Sequence, residues 1–152
     1  MSAADRLAEL GLTLPAVAKP VAAYIPAVRT GNYVYTSGQL PLVDGKLQGT
    51  GKVGDTVTVE EAAGYARTAA LNAVAAAASA AGGLDAIKRV VKVVVFVSSA
   101  TDFTGQAQVA NGASELLQEV FGDAGQHARS AVGMAVLPLD TPVEVEIVVE
   151  TV

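Results

Sequence analysis

Arg129 stands in Ala128-Arg129-Ser130-Ala131-Val132-Gly133, a run of small and apolar residues that reads as a strand. A guanidinium in that setting either pairs with a carboxylate of its own chain or is left for an anionic ligand, because its planar fork matches a carboxylate bidentately. Glu144 lies in Val143-Glu144-Val145-Glu146-Ile147-Val148-Val149-Glu150. Alternation there sets Glu144, Glu146 and Glu150 on one face and Val143, Val145, Ile147 and Val149 on the other. Either the acidic face is simply solvated, or one of its carboxylates serves as a general base. Ser37-Gly38 ends a strand candidate, where glycine either turns the chain or lets a ligand approach the backbone. Tyr24 reads equally as a core residue or as a cleft residue with a polar tip. Asn111 is either a helix-surface amide or a ligand contact. His127 reads as a surface or site-rim residue, and the sequence assigns it no role.

Composition removes several other chemistries. Cysteine is absent, which excludes thiol nucleophiles, disulfides and Cys-ligated zinc. A single His argues against a histidine metal site or a Ser-His-Asp triad within one chain. No phosphate-binding loop, dinucleotide fingerprint, HExxH or GxSxG occurs. The net charge of −5, the absence of Trp and 5% aromatics give neither a basic footprint nor stacking platforms, so no nucleic-acid partner is expected.

The elements that must hold these side chains follow from the pattern of the remaining residues. At 152 residues the chain reads as a single domain, 1–152, of which 1–19 form a short helix and an extended lead-in. Ser2 caps that helix through Leu10, with Gly11 as its stop. Strands are predicted over Ala23–Arg29 and Tyr33–Ser37, joined by Thr30-Gly31-Asn32, with a further tight turn at Val43-Asp44-Gly45-Lys46. Thr58-Val59-Glu60-Glu61 is a capping box opening a helix to about Ala81, stopped by Gly82-Gly83. Twelve of the twenty residues from Ala62 to Ala81 are Ala, so this helix can approach a sheet closely. Val90–Val97 lacks clean alternation, which predicts cover on both faces, one by helices and the other by a second subunit. A second long helix is predicted from about Gln106 to Val120, then strands over Gln126–Val136 and Val143–Val149. The fold class is α+β, a mixed β-sheet with two long helices packed on one face.

A mean hydropathy of +0.43 is high for so small a chain and points to self-association. The N-terminal MSAADRLAELG has neither the basic nor the apolar region of a signal peptide, no apolar run approaches a membrane span, and the expected compartment is the cytoplasm. If Leu137–Pro142 closed a symmetric hairpin, Arg129 would oppose Glu150 and stand roughly 20 Å along the ladder from Glu144. For Arg129 and Glu144 to serve one cleft, either the last two strands are not paired in that way or the site joins two chains.

Taken together, Ser37-Gly38-Gln39-Leu40-Pro41, Val91-Lys92 through Val95-Phe96-Val97 with Asp102-Phe103, and Ala128-Arg129-Ser130 followed by Leu137-Pro138 and Val143-Glu144-Val145-Glu146 resemble the Rid family. These are YjgF-like reactive intermediate (enamine/imine) deaminases, also described as L-PSP endoribonucleases, and the resemblance runs from about Pro20 to the C-terminus. It implies a chorismate-mutase-like fold and a homotrimer with ligand clefts between subunits. It implies hydrolysis of 2-imino acids or their enamines to 2-oxo acids and ammonia, without a metal or organic cofactor. Arg129 would grip the substrate carboxylate and Glu144 would position or activate water. Tyr24, Ser37, Gly38, Asn111 and the backbone of Ala131 would line the cleft. Where the family usually has Cys two residues after the Arg, this chain has Ala131, and Ala22-Ala23 stand where Gly-Pro is common before the Tyr, features of a divergent branch. Non-catalytic binding of small carboxylates, or RNA cleavage, are the alternatives.

Overall fold

The computed structural model describes residues 1–20 and 22–152. Helix α1, Ala3–Glu9, is fixed by a reciprocal cap in which Ser2 and Asp5 satisfy each other's backbone amides. Strands β1 (Ala27–Thr30) and β2 (Tyr33–Thr36) form an antiparallel hairpin turning at Gly31-Asn32. The first strand is thus shorter than the predicted Ala23–Arg29. Pro26 lacks the N–H that a ladder needs, and the chain before it takes no regular structure. A two-stranded ribbon, β3 (Leu42–Val43) and β4 (Lys46–Leu47), turns at Asp44 and Gly45, both at positive φ (52° and 78°). Two consecutive positive-φ residues match the right-handed twist of the flanking strands, which is why Asp-Gly is found there.

Helix α2, Val59–Ala81, starts at the Thr58–Glu61 capping box and ends where Gly82 takes a left-handed conformation at φ 97°. Strand β5, Ile87–Ser98, is followed by helix α3, Gln106–Phe121, strand β6, Ala128–Met134, and strand β7, Val143–Thr151. The main sheet has the order β1-β2-β7-β5-β6, with β5 and β6 parallel and every other pair antiparallel. A parallel pair needs a crossover, and α3 supplies it.

This order overturns the hairpin expected between the last two strands. Strand β5 lies between β6 and β7, so the six residues Leu137–Pro142 step over the end of β5. That is a span of about 10 Å, two strand spacings, which six residues reach easily.

Both long helices cover one face of the sheet. Val90, Val93, Val95 and Val97 of β5 and Val143, Val145, Ile147 and Val149 of β7 are buried beneath them. The alanines of α2 form much of the same core, and Gly112 of α3 sits so close to α2 that an added Cβ would strike the Ala63 carbonyl. The opposite face is the one predicted to need a second cover. In the single chain Val28, Tyr33, Tyr35, Val132 and Met134 are exposed there, beside the half-open Val94 and Phe96.

Candidate functional site

The candidate residues gather at two places. The first is the free edge of the sheet, where β6 meets α3. Arg129 pairs with Val93 in the β5–β6 ladder, so its side chain points to the helix side. There Nη1 donates to Asn111 Oδ1 at 2.9 Å and to Ser114 Oγ at 3.1 Å, both on α3, while Nη2 only reaches the Ala107 carbonyl at 3.5 Å. Every one of these acceptors is neutral. Among the described residues the ion pairs are Arg67–Glu119 and Lys88–Glu150, so no carboxylate neutralises Arg129 and the Glu150 that a hairpin would have offered it binds Lys88 instead. Ala131, two residues on, shares this face of β6 and packs against the core.

The second place is the far side of the sheet, where β2 runs out beside β7. Tyr35 pairs with Val148, whereas Gln39 exchanges both backbone hydrogen bonds with Val145, at 2.7 and 2.9 Å. The register has slipped by one residue between these points, a bulge at Thr36-Ser37-Gly38. The Thr36 hydroxyl fills the gap by accepting from the Ile147 amide at 3.0 Å. Ser37 is held by its own hydroxyl, which donates to the Ile25 carbonyl at 2.6 Å. The bulge brings the Gly38 backbone beneath Glu144, whose carboxylate occupies the space that a Cβ at residue 38 would need. Gly38 has no positive φ, so glycine is required here for close approach alone.

Glu144 is half-buried, and its carboxyl is pushed above the usual Glu range, first by loss of hydration and then by the neighbouring Glu146 charge. That is the direction a group needs in order to take up and return protons near neutrality. A small cavity of about 80 Å³ opens at the Gly38 backbone, lined by Tyr24, Gly38, Leu139, Lys19 and Pro20 among others. Tyr24 is 49% exposed, so the expected alternative of a core tyrosine does not hold. Leu139 forms part of the wall, and it and Asp140 both adopt φ 57°, a conformation uncommon for residues with a side chain.

One chain does not unite the two places. Arg129 is level with Val93 and Glu144 with Phe96, three residues and two strands apart, roughly 14 Å between backbone positions. They also point to opposite faces of the sheet. Asn111 belongs with Arg129; Tyr24, Ser37 and Gly38 belong with Glu144. Ser114, which the sequence did not single out, and His127, read there as a surface or site-rim residue without a role, join the Arg129 cluster. Their only trace in the sequence is spacing, since Ser114 lies one helical turn after Asn111 and His127 faces the same side of the chain as Arg129. Among the described residues no group of three His, Asp or Glu side chains is placed to hold a metal ion. No helix is long and apolar enough to cross a membrane.

A mixed sheet with two long helices on one face, its last two strands split by a third, defines a known class. The sequence matches the family described as "YjgF/chorismate_mutase-like, putative endoribonuclease" over residues 4–151, and the chain belongs to that family. Protein TCP17 of Trypanosoma cruzi is 47% identical over 97% of this chain and 92% of its own length. A Shewanella oneidensis protein carrying the same endoribonuclease description superposes with a TM-score of 0.95 at 35% identity, over 99% of each chain. The crystal structure of Escherichia coli TdcF with bound serine superposes with a TM-score of 0.63 at 27% identity, over 92% of this chain and 96% of its own.

Proposed function

We propose that this chain is a hydrolase of 2-imino acids or their enamine tautomers, acting as a homotrimer in whose inter-subunit clefts Arg129 of one protomer meets Glu144 of the next. The observation that carries this reading is a cation without a counter-ion on one face and a half-buried carboxyl of raised proton affinity, equally without a cation, on the other. Each is half of an acid–base site for a carboxylate substrate, and the open apolar sheet face supports an assembly that brings the halves together. Arg129 takes the substrate carboxylate through paired charge-assisted hydrogen bonds. Water adds to the imine carbon while Glu144 accepts its proton. Glu144 returns that proton to the nitrogen, giving a carbinolamine, then takes the carbinolamine hydroxyl proton and passes it to the nitrogen as the C–N bond breaks, giving the 2-oxo acid and ammonia. The imine is already electrophilic, so the residues named suffice for the step.

The test generates an imino acid in situ from an amino-acid oxidase and follows its disappearance. Faster loss than in buffer, abolished in Arg129→Ala, supports the reading; equal rates with and without protein remove it. Light scattering gives the assembly directly, with three chains per particle expected. A second reading, binding of small carboxylates without turnover, is favoured by the serine bound to the TdcF relative. It calls for saturable 2-oxo acid binding with no imine hydrolysis. RNA cleavage, which the family description suggests, is opposed by the net charge of −5 and the scarcity of aromatics.

A further inference from the structure

Arg129 is the end of a hydrogen-bonded chain that runs back to the only histidine. The Ser114 hydroxyl is 2.8 Å from His127 Nε2, and His127 Nδ1 is 2.6 Å from the Gly125 carbonyl. A carbonyl only accepts, so Nδ1 carries a proton whether the ring is neutral or charged. In the neutral ring Nε2 accepts from the Ser114 hydroxyl, which fixes the hydroxyl proton and turns its lone pairs to Arg129 Nη1 at 3.1 Å. Asn111 Oδ1 takes the other Nη1 proton at 2.9 Å. Both Nη1 protons are thus engaged on α3. The edge formed by Nε and Nη2 keeps only one long contact among the described residues, and that edge is the fork a carboxylate fits side-on.

We propose that Ser114 and His127 are positioning residues for Arg129, and that protonation of His127 is coupled to anion capture by the guanidinium. The proposal rests on the reading of Arg129 as the carboxylate grip. In the charged ring Nε2 becomes a donor, so the Ser114 oxygen accepts from two cations and its own proton must turn away. The two positive groups then stand no more than about 6 Å apart across one hydroxyl, and an anion on Arg129 relieves their repulsion. By reciprocity, protonation of the ring raises the affinity for the anion by the same factor as the bound anion raises the proton affinity of the ring. Ser114 is only 8% exposed, which limits screening by water. The other charged groups on the surrounding elements are Glu115 and Glu119 of α3, the latter paired with Arg67, Arg6 of α1 against Gly122, Asp123 in the turn before Gly125, Arg89 and Lys92 of β5, and Glu150 of β7, paired with Lys88. Arg89 and Glu150 line the open groove that His127 also borders, and their opposite signs act against each other there.

Because the chain has one His, its imidazole gives a single set of nitrogen resonances in the intact protein. Long-range proton–nitrogen spectra are expected to show the Nδ1–H tautomer for the neutral ring. Its titration midpoint is expected to rise by about half a unit or more when pyruvate is saturating, and pyruvate to bind about threefold more tightly below that midpoint than above it. In His127→Gln the pyruvate affinity loses this pH dependence, and Ser114→Ala loses the single tautomer. An Nε2–H tautomer, or a midpoint that stays put while pyruvate binds, overturns the proposal and leaves the carboxylate grip standing. If pyruvate does not bind at all, the grip fails, and Arg129→Gln then decides the relay. A midpoint raised by removing the cation sustains the coupling, and an unchanged midpoint ends it.

Discussion

The β6–α3 edge and the β2–β7 bulge handle charge in opposite ways. At the edge a permanent cation is surrounded by neutral acceptors that orient it without cancelling its charge. At the bulge a carboxyl is set over a glycine, partly stripped of water, next to another carboxylate, and its charged form is disfavoured. The first arrangement suits binding, where a fixed charge and fixed geometry are wanted. The second suits proton transfer, where the group must change its charge easily. A structural ion pair would have brought the two together; the sheet between them keeps them apart, and neither is in an ion pair among the described residues.

The largest effect expected from breaking this contrast is at the edge. Arg129→Ala should lower kcat/KM for imino-acid hydrolysis by about a hundredfold or more, the loss of two charge-assisted hydrogen bonds, and should abolish pyruvate binding measured by calorimetry. Glu144→Gln should lower kcat by about a hundredfold while pyruvate still binds, which separates grip from proton transfer in one pair of assays. The same substitution has a stability signature. A carboxyl raised above its unfolded value favours folding below the ordinary Glu range, and that contribution is lost as pH rises through the raised value. Glu144→Gln should therefore melt higher than wild type at pH 7 and lose that advantage at pH 3, and equal melting at both would show that burial does not disfavour the charge.

Gly38→Ala sharpens the contrast further. The new methyl takes the place of the Glu144 carboxylate, the mobile end of a side chain, so activity should fall by about tenfold with a change in stability under about 1 kcal/mol. The smallest effect on chemistry and the clearest on folding is expected at Asn72. Its buried amide donates to the Leu40 and Leu42 carbonyls, both at 3.0 Å, and ties the chain after the bulge to α2. Asn72→Asp would set a carboxylate against those carbonyls and should cost about 2–3 kcal/mol in urea unfolding, with imine turnover per folded molecule little changed.

Local signals in the chain carried the elements well. Ser2 with Asp5 and Thr58 with Glu61 cap helices as their spacing indicates, and Gly82 stops α2. The β7 alternation sorts glutamates from valines as the two-residue period requires. Ala23–Arg29 was over-long because Pro26 interrupts it, and Gln126–Val136 because its ends leave the ladder to form turns. Of the site, Arg129 and Glu144 stand out as charges in apolar strands. The Ser114–His127 link has no such mark, since a serine among apolar residues and a lone histidine look alike in any helix or strand end.

Sequence alone determined which segments become helices and strands, where the capped helices start and where α2 stops, and which side chains share a face, because caps, turns and periodicity act over a few residues. Tertiary structure alone decided that β5 divides β6 from β7, that a one-residue slip sets Gly38 under Glu144, and that Arg129 meets neutral partners on α3. Those outcomes depend on which strands pair and at what register, and such choices are made by burial across the whole sheet, over separations at which neighbouring residues exert no influence.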